Sequence, residues 1–133
     1  MNRLLDTNVC IDVLRGREEV VRRLRGCDPR DCFISTVTEF ELLQGTLRAP
    51  VDRQTEEKEK VTRLVSLLQV LPFDSECARI AAELNAGLLN AGKPRNITDV
   101  FIAATGIRHG STVVTSNTKD FADLPGLDLE NWR

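Results

Sequence analysis

Four carboxylates stand where an open α/β sheet could gather them into one cleft: Asp6, Glu41, Asp99 and Asp120. In such a sheet ligands bind beyond the carboxyl ends of the strands, so an acid just after a strand points into the right place. Asp6 ends the apolar opening Leu4-Leu5-Asp6-Thr7-Asn8, and Asp120 follows another apolar run in Val114-Thr115-Ser116-Asn117-Thr118-Lys119-Asp120. Crowded carboxylates repel one another, which raises some of their pKa values and disfavours folding unless a cation lies among them. Mg²⁺ suits such a set, with Mn²⁺ as a substitute, because it takes oxygen ligands and keeps several waters. An ion held this way can bind a phosphodiester oxygen, activate a water and stabilise the leaving oxygen. Thr7, Asn8, Thr115, Ser116 and Asn117 would surround it with hydroxyl and amide groups.

Each acid also has a plainer reading. Asp6, Thr7 and Asn8 are all helix-capping residue types, Asp99 is three residues after a possible Asn96 cap, and Asp120 is three after Asn117. Glu41 differs. Thr36 with Glu39 is expected to form a capping box, and at about 100° per residue Glu41 then points away from Glu39, on the Val37 side of the helix, toward the domain. A carboxylate turned inward needs a partner.

Other chemistry finds little support. The single histidine, His109, has no second proton-transfer group of its kind and precedes Gly110 at an expected helix end, where a cationic residue meets the dipole favourably. One His and four cysteines, Cys10, Cys27, Cys32 and Cys77, show no zinc spacing and no C-x-x-C pair, and the thiols are read as reduced. Gly87 to Lys93 has the spacing of a phosphate-binding loop, yet a helix precedes it and Pro94 stands where the hydroxyl is needed.

Short apolar runs alternate with longer helix-period segments, the pattern of an α/β domain with a mostly parallel sheet. Strands are expected near 2–5, 31–34, 69–72, 112–115 and 127–130. Helices are expected near 8–15, 18–26, 36–48, 53–68, 75–91 and 97–109, with a short turn near 118–123. Gly92 and Pro94 stop one helix and Asn96 caps the next. The stripe Val61, Leu64, Val65 and Leu68 is read as core rather than interface. At 133 residues and 41% hydrophobic, the chain fits one domain, residues 1–133, with one sizeable core. No apolar stretch suggests a leader or a membrane span, so a cytoplasmic protein is expected. The formal charge of −2 argues against a broad electrostatic grip on nucleic acid. Contact with nucleic acid would be local, through Lys93 and Arg95 just before Asp99 or through Arg15, Arg17, Arg22, Arg23 and Arg25, although such runs are commonly only solvated faces.

Four motifs in order resemble the VapC-type toxins of bacterial toxin–antitoxin pairs, which are PIN-domain endoribonucleases. Leu4-Leu5-Asp6-Thr7-Asn8-Val9-Cys10-Ile11 is similar to the family's first motif. Ile34-Ser35-Thr36-Val37-Thr38 with Glu41-Leu42 and Gly45 is similar to the second, Asp99-Val100-Phe101-Ile102-Ala103-Ala104 to the third, and Val114-Thr115-Ser116-Asn117-Thr118-Lys119-Asp120-Phe121 to the fourth. The ending Pro125-Gly126-Leu127 to Glu130-Asn131-Trp132 is also typical. Many members carry Asp where this chain has Asn117, so the fourth acid is either Asp120 or replaced by a neutral Asn117. The resemblance implies a PIN-like fold of about five strands flanked by helices, and a homodimeric, metal-dependent ribonuclease. It further implies a cognate antitoxin that covers the acidic groove and an RNA substrate, with the anticodon loop of initiator tRNA as the expected target.

Three rival readings fit the residues less well. A non-enzymatic Mg²⁺-binding receiver-like module would want paired early acids, an Asp after a central strand and a facing Lys, and no such set is present. A haloacid-dehalogenase-type phosphatase needs a second Asp where Asn8 stands. A PIN-like subunit with a dead site is opposed by the retained Asp6, Glu41 and Asp99.

Overall fold

The computed structural model describes all 133 residues. Five strands, β1 (Arg3–Leu5), β2 (Cys32–Ser35), β3 (Gln69–Leu71), β4 (Thr112–Val114) and β5 (Leu129–Glu130), form one sheet in the order β3-β2-β1-β4-β5. Every neighbouring pair is parallel. Parallel neighbours need crossover connections, and the helices supply them. These are α1 (Thr7–Leu14), α2 (Glu18–Arg25), α3 (Thr36–Leu47), α4 (Gln54–Leu67), α5 (Ser75–Asn90), α6 (Ile97–Arg108) and α7 (Thr118–Phe121).

Side-chain alternation along the short central strands sorts the core into two layers. Leu5 and Val114, paired across β1 and β4, face one side together with Ile34 and bury against Val9, Leu42, Val61 and Leu64. Leu4 and Val113, also paired, face the other side against Ala81, Leu84, Val100, Ala103 and Phe121. Both faces of the sheet are therefore covered, as a parallel sheet requires. The stripe on α4 is core as expected: Val61, Leu64 and Leu68 are buried. All four cysteines are free thiols, and burial pushes the Cys10 thiol well up and the Cys32 thiol up to about 11.

The expected strands and helices all form, with ends moved by a few residues. Two short 3₁₀ turns, Pro29–Asp31 and Val51–Arg53, were not anticipated; each opens on or next to a proline, whose fixed φ suits a tight turn. The capping box expected at Thr36 and Glu39 does not form. Ser35 caps α3 instead, its hydroxyl accepting from the Val37 N–H at 2.9 Å. Thr36 is drawn away because its hydroxyl accepts from the Phe73 N–H at 3.1 Å, tying the start of α3 to the chain beyond β3. Helix α5 stops as expected. Gly92, at φ +67, lets the Lys93 N–H reach the Leu88 carbonyl at 2.8 Å and the Gly92 N–H reach that of Leu89 at 3.1 Å. Asn96 caps α6 through its side-chain oxygen, which accepts from the Thr98 N–H at 3.1 Å. No helix is long and apolar enough to cross a membrane.

Candidate active site

Helices that follow or precede parallel strands carry their ends to the carboxyl edge of the sheet, and the acids cluster there. Asp6 comes directly after β1, the central strand, with its backbone N–H on the Val114 carbonyl at 3.0 Å. It is only 2% exposed, and it caps α1 by accepting from the Val9 N–H at 2.8 Å. The capping and site readings of Asp6 are therefore not alternatives: capping takes one hydrogen bond to Oδ1, and a carboxylate can accept several more. Burial pushes the Asp6 carboxyl up from its usual range, against the pull of hydrogen bonds from Thr115 and Val9, and the charges of Asp12 and Glu41 push the same way.

Glu41 lies in the second turn of α3, turned inward as its helical phase requires. Its Oε1 accepts from the Thr7 hydroxyl at 2.7 Å, and that hydroxyl also pairs with the Thr38 hydroxyl at 3.1 Å. A three-residue polar chain thus joins the first turn of α1 to α3.

Asp99 sits in the first turn of α6, which runs back toward the start of β4 and so presents its amino end at the same edge as Asp6. Its carboxyl is pushed up to about 6, by burial first and then by the charges of Asp120, Asp6 and Glu41. The charges of Asp120, Asp6 and Glu41 thus all bear on Asp99. Asp120, half-buried in the α7 turn after β4, adds its charge to Asp99, whereas Asn117 is exposed and caps α7 with no side-chain bond. Thr115 is buried, and its hydroxyl accepts from the Asn117 N–H at 3.0 Å. Asn8 is exposed beside the cluster and Ser116 half-buried. No three of these side chains stand close enough to hold a metal ion all at once. An all-oxygen donor set suits a hard cation taken by one or two carboxylates, with waters reaching the others.

Two residues at this site were not singled out in the sequence. Asp12, on α1, is buried, and Arg133 grips it with two bonds, Nε to Oδ2 at 3.1 Å and Nη2 to Oδ1 at 3.0 Å. An acid between Ile11 and Val13 in an otherwise apolar segment was the available signal. Lys93 and Arg95 both lie on the Asp123 carboxylate, at 3.7 Å and 3.1 Å.

Comparison with known proteins agrees with this geometry. Residues 3–127 match the family model described as PIN domain. The tRNA(fMet)-specific endonuclease VapC of Salmonella typhimurium is 30% identical over 129 residues, 97% of this chain and 96% of that protein. Among solved structures, VapBC2 from Rickettsia felis bound to a DNA fragment from their promoter superposes with a TM-score of 0.92 at 27% identity, covering 100% of both chains. DNA-bound VapBC from Salmonella typhimurium also gives 0.92, at 29% identity, with 100% of this chain and 99% of that one covered. With four acids on one sheet edge and these matches along its length, the chain belongs to the PIN-domain family, in its VapC-type branch of ribonucleases.

Proposed function

We propose that the chain is a Mg²⁺-dependent endoribonuclease toxin, with Asp6, Glu41, Asp99 and Asp120 as its working acids. The observation that carries this reading is the gathering at one sheet edge of Asp6, buried directly after β1, Glu41, bonded to the Thr7 hydroxyl of α1, and Asp99, in the first turn of α6, whose carboxyl is pushed up to about 6 by burial and by the charges of Asp120, Asp6 and Glu41. A fold keeps such a costly arrangement where a cation relieves it. Asp6, directly after the central strand, and Asp99, in the first turn of α6, would hold the ion directly, and Glu41 and Asp120 would bind its waters. Bound there, Mg²⁺ would supply Lewis-acid activation of a water and neutralise charge on the scissile phosphate. The chain's own part is orientation. Thr7 fixes the Glu41 carboxylate, the α1 amide fixes one Asp6 oxygen, and a carboxylate not engaged with the ion takes the proton as the water oxygen bonds to phosphorus and the ribose oxygen leaves.

RNA as substrate, and the initiator tRNA anticodon loop in particular, rests on likeness to a relative named for tRNA(fMet). An antitoxin partner is supported by the VapBC complexes this fold matches. The exposed face of α3, with Phe40, Leu43 and Leu47 at helical spacing, supports a second copy as a further partner, since adjoining exposed large apolar side chains mark association surfaces. The cytoplasm, where tRNA resides, is the place of action.

The test is to incubate partner-free protein with total tRNA in Mg²⁺ or Mn²⁺, in EDTA, and beside Asp99→Asn. Discrete cleavage that needs both metal and Asp99 is expected. Equal cutting by the variant would refute the assignment of the site. Asp99-dependent Mn²⁺ binding with no cutting of any RNA would favour a non-enzymatic Mg²⁺-binding module.

A further inference from the structure

Asp99 and Asp120 repel each other, yet the segments that carry them must stay together for the site to exist. Helices α6 and α7, which carry them, pack against each other. Helix α7 is a single turn of four residues without a side-chain cap, too short to be stable by itself. Phe121 and Leu124 anchor it from below by burial. Something must also hold its outer side against the first turn of α6.

Asp123 is placed to do so. It follows Asp120 by three residues, and its carboxylate receives Arg95, which precedes Asp99 by four. Arg95 Nη2 donates to Asp123 Oδ2 at 3.1 Å, and Lys93 Nζ lies 3.7 Å from the same oxygen. The guanidinium does not wander, because Nη1 also donates to the carbonyls of Lys93 at 3.2 Å and Pro94 at 3.4 Å. Its side chain is only 20% exposed. The two segments are thus joined twice within one helical turn, repulsively by Asp99 and Asp120 and attractively by Arg95, Lys93 and Asp123.

We propose that Asp123 is a positioning residue, which with Arg95 and Lys93 holds the Asp120 turn against the start of α6 and so sets the spacing of the acids that bind the cation. This rests on the metal-dependent reading of the site given above. Asp123 itself is half exposed and touches no site acid, so its effect on overall stability should be small, as for exposed ion pairs generally. Its effect on the site should be larger, because outer residues that orient metal ligands typically alter metal affinity by about 10- to 100-fold.

Direct Mn²⁺ binding to RNA-free protein, followed by the electron spin resonance of free Mn²⁺, tests this on wild type, Asp123→Asn, Asp123→Glu, Arg95→Gln and Asp99→Asn. Asp123→Asn and Arg95→Gln should each weaken Mn²⁺ binding by about 10-fold, with thermal unfolding of the metal-free protein nearly unchanged. Asp123→Glu should recover much of the loss, since it restores the charge one methylene further out. Wild-type affinity in Asp123→Asn would overturn the positioning role alone. An equal loss in Asp123→Glu and Asp123→Asn would overturn it too, as would a large fall in unfolding temperature, which would make Asp123 a stability residue. If Asp99→Asn binds Mn²⁺ as wild type does, the reading of the site fails first and the positioning role with it.

Discussion

Thr7 and Glu41, which lie on different helices and far apart in sequence, are joined by a hydrogen bond of 2.7 Å that fixes the only site acid not placed by its own helix end. Replacing Thr7 with Val keeps the shape and removes the donor. The half-buried Glu41 then loses its partner, which costs about 1–2 kcal/mol. RNA cleavage should fall about 10- to 100-fold, with the fold intact by circular dichroism. Activity within twofold of wild type would mean that Glu41 is held by something other than Thr7.

The Asp12–Arg133 pair is a separate and stronger stability element. Asp12 is buried, and both of its oxygens are taken by one guanidinium. Arg133→Ala should destabilise the protein by roughly 2 kcal/mol, less than a fully buried pair because the arginine is partly in water. Asp12→Asn combined with Arg133→Ala should recover part of that loss, since no bare buried charge remains. Urea unfolding of the two single variants and the double variant measures the coupling. Strict additivity would show that the pair contributes nothing as a pair.

Acidity offers a third handle, because Asp99 and Asp6 hold protons more tightly in the fold than in the unfolded chain. For a carboxyl raised to about 6, the folded state binds more protons than the unfolded state above the ordinary carboxyl range, so stability falls as pH rises through that window. The acids that work in the opposite sense, Asp28 beside Arg30, Asp74 bonded to the Cys77 amide and Glu130 bonded to Trp132 and Arg3, act only at lower pH, where their depressed values lie. Metal-free protein should therefore melt roughly 3–5 °C higher at pH 5 than at pH 7.5. Asp99→Asn should remove most of that difference, and saturating Mg²⁺ should reverse it. A wild-type melting temperature that rises from pH 5 to 7.5 without metal would contradict the crowding of these acids.

Much of this was legible in the sequence because parallel α/β folds place chemistry by rule. An acid after β1 and a polar run after β4 must emerge on the same edge, whatever the details. Glu41 could be told from Glu39 by helical phase alone, and the Thr7 hydroxyl bears this out. The start of α3 was harder. Ser35 and Thr36 are equally good caps locally, and the choice fell to Ser35 because Phe73, far along the chain, claims the Thr36 hydroxyl. Asp12 escaped for a similar reason, since its partner is Arg133, at the other end of the sequence. Local propensity cannot foresee a contact whose second half is that distant.

The strand order carries a last consequence, for timing. β1 is made first but lies in the middle of the sheet, and its β4 neighbour is made late. Asp6 and Glu41 leave the ribosome early, whereas Asp99 and Asp120 follow many residues later. At about 5–20 residues per second, the roughly 80 residues between Glu41 and Asp120 take about 4–16 s to synthesise. A cell making this protein thus has an interval in which every nascent chain lacks a complete acid cluster. Chains abandoned in that interval carry only part of the acid set, which is complete only once α7 has been made.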